Sequence, residues 1–192
     1  MSSTLHDAPL ALDRSDAWDA GVSFQAFLPT AQDNVDLWHR TYQRAAVPPE
    51  VLARLDAVPG TWKLLVLSED WCGDASNTVP VLAALADAAP TVELRMLARD
   101  EHLDLMDEHL TGGRARSIPV VIVLDGRGVE RAWWGPRPSA LQAWFTSDAA
   151  QALDKPARYR ELRKVYARDR GRSTLDEVVT LIERSAGGSA VL

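Results

Sequence analysis

From Trp62 to Ser68 the chain reads WKLLVLS, a nearly continuous apolar run with no glycine or proline. That pattern predicts a strand buried on both faces, as in a parallel sheet covered by helices. TVELRML, from Thr91 to Leu97, alternates and predicts a second strand, and PVVIVLD, from Pro119 to Asp125, predicts a third. Asp125-Gly126-Arg127-Gly128 then reads as a tight turn into Val129 to Trp134, a hairpin. Between the first two strands VPVLAALADAA places Val81, Leu82, Leu85 and Ala86 at helical spacing.

The flanks are helical in pattern. From Ser15 to Arg44 the anchors are Trp18, Val22, Phe24, Phe27, Val35, Leu37, Trp38 and Tyr42, divided by Pro29 and helical after Ala31. A helix starting at Pro49 carries Val51, Leu52 and Leu55 and stops at Pro59-Gly60. Glu101 to Leu110 reads as a short helix closed by Gly112-Gly113. Leu141, Trp144 and Phe145 mark another helix, and Tyr159, Leu162, Val165 and Tyr166 form the stripe of the next. Gly171 breaks that helix; Ser173 with Asp176 reads as a capping box for a last one through Arg184, stopped by Gly187-Gly188. The first dozen residues carry no pattern and read as a loose end.

Composition narrows the class. The 192 residues are 46% hydrophobic and 25% charged, ordinary values for a globular protein. A net charge of −6 disfavours nucleic acid as a partner of the whole chain. The basic run from Arg158 to Arg172 is read as a helix whose arginines pair with the chain's acids, rather than as a nucleic-acid patch. No apolar stretch approaches the roughly 18 residues of a membrane helix. The N-terminus, MSSTLHDAPLALDRSD, lacks the basic and apolar regions of a signal peptide. The expected location is the cytoplasm, with no membrane partner.

Candidate chemistry centres on one residue. Cys72 is the only cysteine and lies in SEDWCGDASNTVP, at a strand-to-helix junction. The histidines His6, His39, His102 and His109 form no metal-binding pattern, so no metal and no cofactor is expected. Gly112-Gly113 and Gly126-x-Gly128 lack the helix that follows a phosphate loop. A nucleophile elbow is missing as well.

Trp71-Cys72-Gly73-Asp74-Ala75, together with Ser117-Ile118-Pro119 just before a strand, resembles the thioredoxin superfamily, in which the motif cysteine opens a helix and a cis-proline loop lies against it. The segments TVPVLAALA, LARDEHLDLMD, SIPVVIVLD, WWGPRP and YARDRGRST are similar to those of bacterial thioredoxin-like proteins with a Trp-Cys-Gly-Asp-Cys motif. The resemblance implies an α/β thioredoxin-like fold, a central mixed sheet flanked by helices, over residues 60–145. Helical extensions are expected at 15–58 and 146–192 of a single domain.

The departures from that family pattern define the functional expectation. Ala75 stands where the second cysteine belongs, and neither Ser76 nor Asn77 carries sulfur. An alanine introduced to trap a partner would read the same as a natural one. Val66 replaces the aspartate that typical thioredoxins place six residues before the first cysteine, and Val120 follows the proline where threonine is common. Glu69 replaces the threonine of peroxiredoxin-like sites.

These differences exclude dithiol reduction and leave a monothiol thiol–disulfide oxidoreductase acting through Cys72. A small thiol of the glutathione or bacillithiol type, or a protein thiol, would be its partner. Trp71, Gly73, Asp74, Ala75, Ile118 and Pro119 would contact the substrate, Trp71 as an apolar rim. Arg114 and Arg116 could attract a carboxylate-bearing thiol or simply solubilise a loop. The alternative is a redox-inactive module that binds its ligand beside Pro119. A thiol in the first turn of a helix is favoured as thiolate, whereas Glu69, Asp70 and Asp74 oppose it. The balance predicts a modestly depressed thiol pKa.

Overall fold

The computed structural model describes residues 4–7 and 11–188. Among the described residues six strands form one sheet: β1 (Leu5–Asp7), β2 (Val22–Ser23), β3 (Trp62–Ser68), β4 (Val92–Ala98), β5 (Val120–Asp125) and β6 (Glu130–Trp134), in the order β1-β6-β5-β3-β4-β2. β3 runs parallel to β4 and antiparallel to β5, so the apolar WKLLVLS segment lies at the centre, with Leu64 to Leu67 fully buried. This burial explains why the run shows no alternation: both faces of β3 are covered.

The helices are α1 (Ser15–Ala20), α2 (Phe24–Phe27), α3 (Val35–Arg44), α4 (Pro49–Asp56), α5 (Gly73–Ala88), α6 (Leu103–Asp107), α7 (Ser139–Phe145), α8 (Asp148–Gln151), α9 (Lys155–Asp169) and α10 (Arg172–Gly188). α5 is the crossover from β3 to β4 and is buried on most of its circumference, which suits its predominantly apolar sequence. α3 packs on α5, and α10 packs on β6, α4 and α5.

Several elements differ from expectation. Leu5–Asp7 is an edge strand, not a loose end: it pairs antiparallel with β6, placing His6 opposite Trp133 with the rings stacked at 3.7 Å. Val22–Ser23 is a two-residue strand against β4. Helix α6 spans five residues only, after a 3-10 turn at Arg99–Glu101. Ser173 does not cap α10; its N–H and hydroxyl both donate to the Asp169 carboxylate, and α10 continues through Gly188. Trp133 and Trp134, by contrast, face opposite sides of the sheet as adjacent strand residues must, Trp133 toward His6 and His109, Trp134 toward α10, where its indole donates to Glu177 at 2.7 Å.

Candidate functional site

The end of β3 leads directly to the thiol. The segment between β3 and α5 is fixed by its acids, each bound to a different neighbour. Glu69 accepts the Asp100 N–H at 2.8 Å, and the Asp70 carboxylate accepts the N–H groups of Gln32 and Asp33. Burial works against the ionised form of Asp70, but these backbone donors outweigh it and hold the carboxyl below its usual range. The Asp70 carbonyl accepts the Trp38 indole at 2.9 Å and the Asn34 amide at 3.1 Å. Trp71 is thereby left facing solvent, 48% exposed, with the Arg99 guanidinium 5.2 Å from its ring.

Cys72 is the N-cap of α5, and its sulfur accepts the Ala75 N–H at 3.5 Å. The polar residues of the next turn turn back on the helix: Ser76 donates to the Cys72 carbonyl, Asn77 to Gly73 and Thr78 to Asp74. Pro80 lies inside α5 and offers no N–H to the turn below it.

The second wall comes from the loop before β5. The Ile118–Pro119 peptide is cis, and the Cys72 thiol donates to the Ile118 carbonyl at 3.3 Å. Ile118 and Pro119 are buried. A third segment, Gly135-Pro136-Arg137, seals this wall from behind. Gly135 has φ +146°, and a Cβ there would lie 2.2 Å from the Pro119 carbonyl oxygen, so only glycine permits this approach.

Beneath the sulfur lies a buried polar network that sequence reasoning missed. Asp74 is 5% exposed and its side chain turns inward, not to solvent; it pairs with Arg137 at 2.6 Å and accepts the Tyr166 hydroxyl at 2.7 Å. Arg137 donates to Gln142 at 2.8 Å and lies over the Phe145 ring at 4.0 Å. Its Nε has no hydrogen-bond partner among the described residues. Burial raises the Asp74 pKa, and Arg137 and Tyr166 oppose that rise without cancelling it. Tyr166 is pushed well above an ordinary tyrosine by burial and then by the charge on Asp74.

The thiol therefore differs from expectation. Cys72 is 8% exposed, and its pKa is raised, foremost by burial. The Ala75 N–H and the Arg137 charge pull it down, while the Asp74 charge pushes it up. The helix start is favourable to thiolate, but a sulfur shut away from water does not gain enough from it.

Of the residues singled out in the sequence, the fold brings Cys72, Ala75, Ile118 and Pro119 together as buried neighbours around the sulfur, with Trp71 and Gly73 exposed at its edge. Arg116 is engaged by Asp107 through two contacts of 2.6 Å, and Arg114 stands exposed. Among the described residues no group of side chains has the makings of a metal site.

The family model described as thioredoxin matches residues 21–153, well over half of the chain. The chain belongs to this thioredoxin family. Its fold is similar to that of a protein of unknown function, PA1234 from Pseudomonas aeruginosa, at a TM-score of 0.72 and 22% identity, covering 91% of this chain and 99% of that one. An HIV epitope scaffold of the 4E10 series is similar at a TM-score of 0.72 and 20% identity, covering 90% and 99% of the two chains. At these identities the likeness concerns the fold alone. No curated protein matches the chain. Among the described residues no helix of this thioredoxin-family chain is long and apolar enough to cross a membrane.

Proposed function

We propose that this thioredoxin-family chain is a monothiol exchanger of the cytoplasm, with Cys72 as the attacking thiol and an external small thiol completing the cycle. Ala75 stands where a dithiol member of the family would carry its second cysteine. The observation that supports the reading best is the seat of the sulfur. It caps α5, 3.5 Å from the Ala75 N–H, and its thiol donates to the Ile118 carbonyl next to Pro119 at 3.3 Å. A substrate approaching along the exposed edge, Trp71 and Gly73, replaces that carbonyl contact with a disulfide sulfur.

The Cys72 thiolate attacks one sulfur of a disulfide R–S–S–R′, forming Cys72–S–S–R and releasing R′ as its thiolate. A second small thiol attacks this adduct, returns the Cys72 thiol and leaves as the disulfide with R. The net change is R–S–S–R′ + R″–SH → R–S–S–R″ + R′–SH, where R″–SH is the small thiol: one S–S bond breaks and one forms, R′ leaves as a thiol, and the protein is unchanged over the cycle. Glutathione and bacillithiol are of the right class, as is a protein thiol. Because burial holds the resting sulfur protonated, the exchange is slow at neutral pH and accelerates as pH rises.

A second reading is favoured by the same burial: a redox-inactive module that grips its ligand beside Pro119. Intact-mass measurement after incubation with oxidised glutathione separates the two. The exchanger acquires one glutathione, loses it to excess reduced glutathione, and acquires none as Cys72→Ser. A folded protein that stays unmodified up to alkaline pH overturns the exchange reading and leaves the binding module.

A further inference from the structure

On the outer side of α5, α3 and α9 bound a half-open groove of about 660 Å³. Each helix contributes one face: Leu37, Arg40 and Arg44 from α3, and Arg163 and Arg170 from the α9 side. Val81 of α5 supplies apolar surface between them, and Asn77 an amide. Gly171, with φ +80°, brings the end of α9 so close to α5 that a Cβ would lie 2.6 Å from the Val81 methyls. The groove is thus shaped by packing and not by loose side chains.

Its charge is lopsided. Arg40, Arg44, Arg163 and Arg170 are all exposed, and no carboxylate lines the groove. Among the described residues none of the four forms a salt bridge; Arg40 donates only to the Asp36 backbone carbonyl at 3.0 Å. The expectation that the arginines of this run pair with acids is not met: among the described residues the ion pair found in the run is that of Lys164 with Glu161. On a chain of net charge −6, four unneutralised guanidinium groups around one apolar floor form a local anion-attracting field.

From these observations we infer that the groove is a binding site for a small organic anion, an apolar body carrying phosphate or carboxylate groups. The volume lies within the several hundred Å³ typical of small-molecule sites. The apolar floor argues against a bare inorganic ion, and guanidinium forks suit phosphate and carboxylate oxygens. The Tyr166 ring lines the groove while its hydroxyl holds Asp74 beneath the thiol, so the two sites share a wall. The inference does not depend on Cys72 being reactive.

The test is titration of the full-length chain, by calorimetry and backbone amide shifts, with octyl phosphate and octanoate as the two anion sources. Neutral octyl glucoside and inorganic phosphate serve as controls. At least one amphipathic anion is expected to saturate the groove in the micromolar range, shifting amides of α3 and α9, with both controls about tenfold weaker or worse. Arg40→Glu with Arg163→Glu is expected to weaken binding at least about tenfold. Should that pair of reversals impair folding, Arg44→Gln with Arg170→Gln replaces it, with a smaller loss expected. No saturable binding of either anion, binding of octyl glucoside or inorganic phosphate at equal strength, or affinity unchanged in the folded variants overturns the inference.

Discussion

Asp74 and Glu130 are both buried carboxylates that meet an arginine, yet the protein treats them oppositely. Glu130 is 3% exposed and bonded to the Arg14 Nε at 2.7 Å and the His109 Nε2 at 2.9 Å. Burial pushes its pKa up, but His109 and Arg14 together outweigh that and hold it below the ordinary value of 4.5. Asp74 also has two partners, yet burial wins and its pKa rises above the ordinary 3.8. The difference lies in the partners. Glu130 can draw on two groups able to carry positive charge, whereas one of Asp74's donors is a neutral tyrosine hydroxyl. Glu130 belongs to a pairing that ties the N-terminal arm to β6. Asp74 is a charge held at a cost next to the only thiol.

Breaking the Asp74 pair should have the largest effect. Arg137→Met leaves the carboxylate buried with only Tyr166, and unfolding in denaturant at neutral pH should show a loss of about 3–5 kcal/mol. The deficit should shrink in acid. Because the folded pKa of Asp74 is raised, its contribution is fully present below pH 3.8 and is lost as pH rises through its folded pKa. A variant equally destabilised across that window would show that Arg137 acts by packing on Phe145.

Glu130→Gln comes next and should have the opposite pH signature. The lowered pKa means that Glu130 stabilises above pH 4.5 and that this stability is lost as pH falls through its folded pKa. The variant should lose about 2 kcal/mol at neutral pH and show a flatter acid limb, measured by denaturant midpoints from pH 7 down to pH 3. An acid limb as steep as that of the parent would contradict the assignment.

Tyr166→Phe should be mildest, about 1 kcal/mol, because one hydrogen bond to a carboxylate is lost and the ring stays. Thermal unfolding at neutral pH measures it, and a neutral or stabilising outcome would remove Tyr166 from the network.

The two regions were unequally legible in the sequence. The strand at Trp62–Ser68 could be read because a doubly buried strand needs apolar residues at every position, and that pattern is local. The edge strand Leu5–Asp7 could not, since three residues hold no period and β6 supplies their partner. Around the thiol, Cys72, Ile118 and Pro119 each lie in a recognisable segment. The Asp74–Tyr166 bond spans 92 residues, and Tyr166 looked like one more member of an apolar stripe. The only local signal was WWGPRP, an arginine held between two prolines, whose stiff backbone suggests a fixed task for its side chain. The thiol's pKa was misjudged for the same reason: the helix start is visible in sequence, and the depth of burial is not.

The central claim is that Cys72 is a positioned thiol held protonated by its surroundings. Its alkylation rate by iodoacetamide, followed against pH in the folded chain, tests this most directly. The account predicts a half-maximal rate above the ordinary thiol value of 9.0, moving downward in Asp74→Asn as the neighbouring charge is removed. A half-maximal rate below 9.0, or one that Asp74→Asn leaves in place, would contradict it.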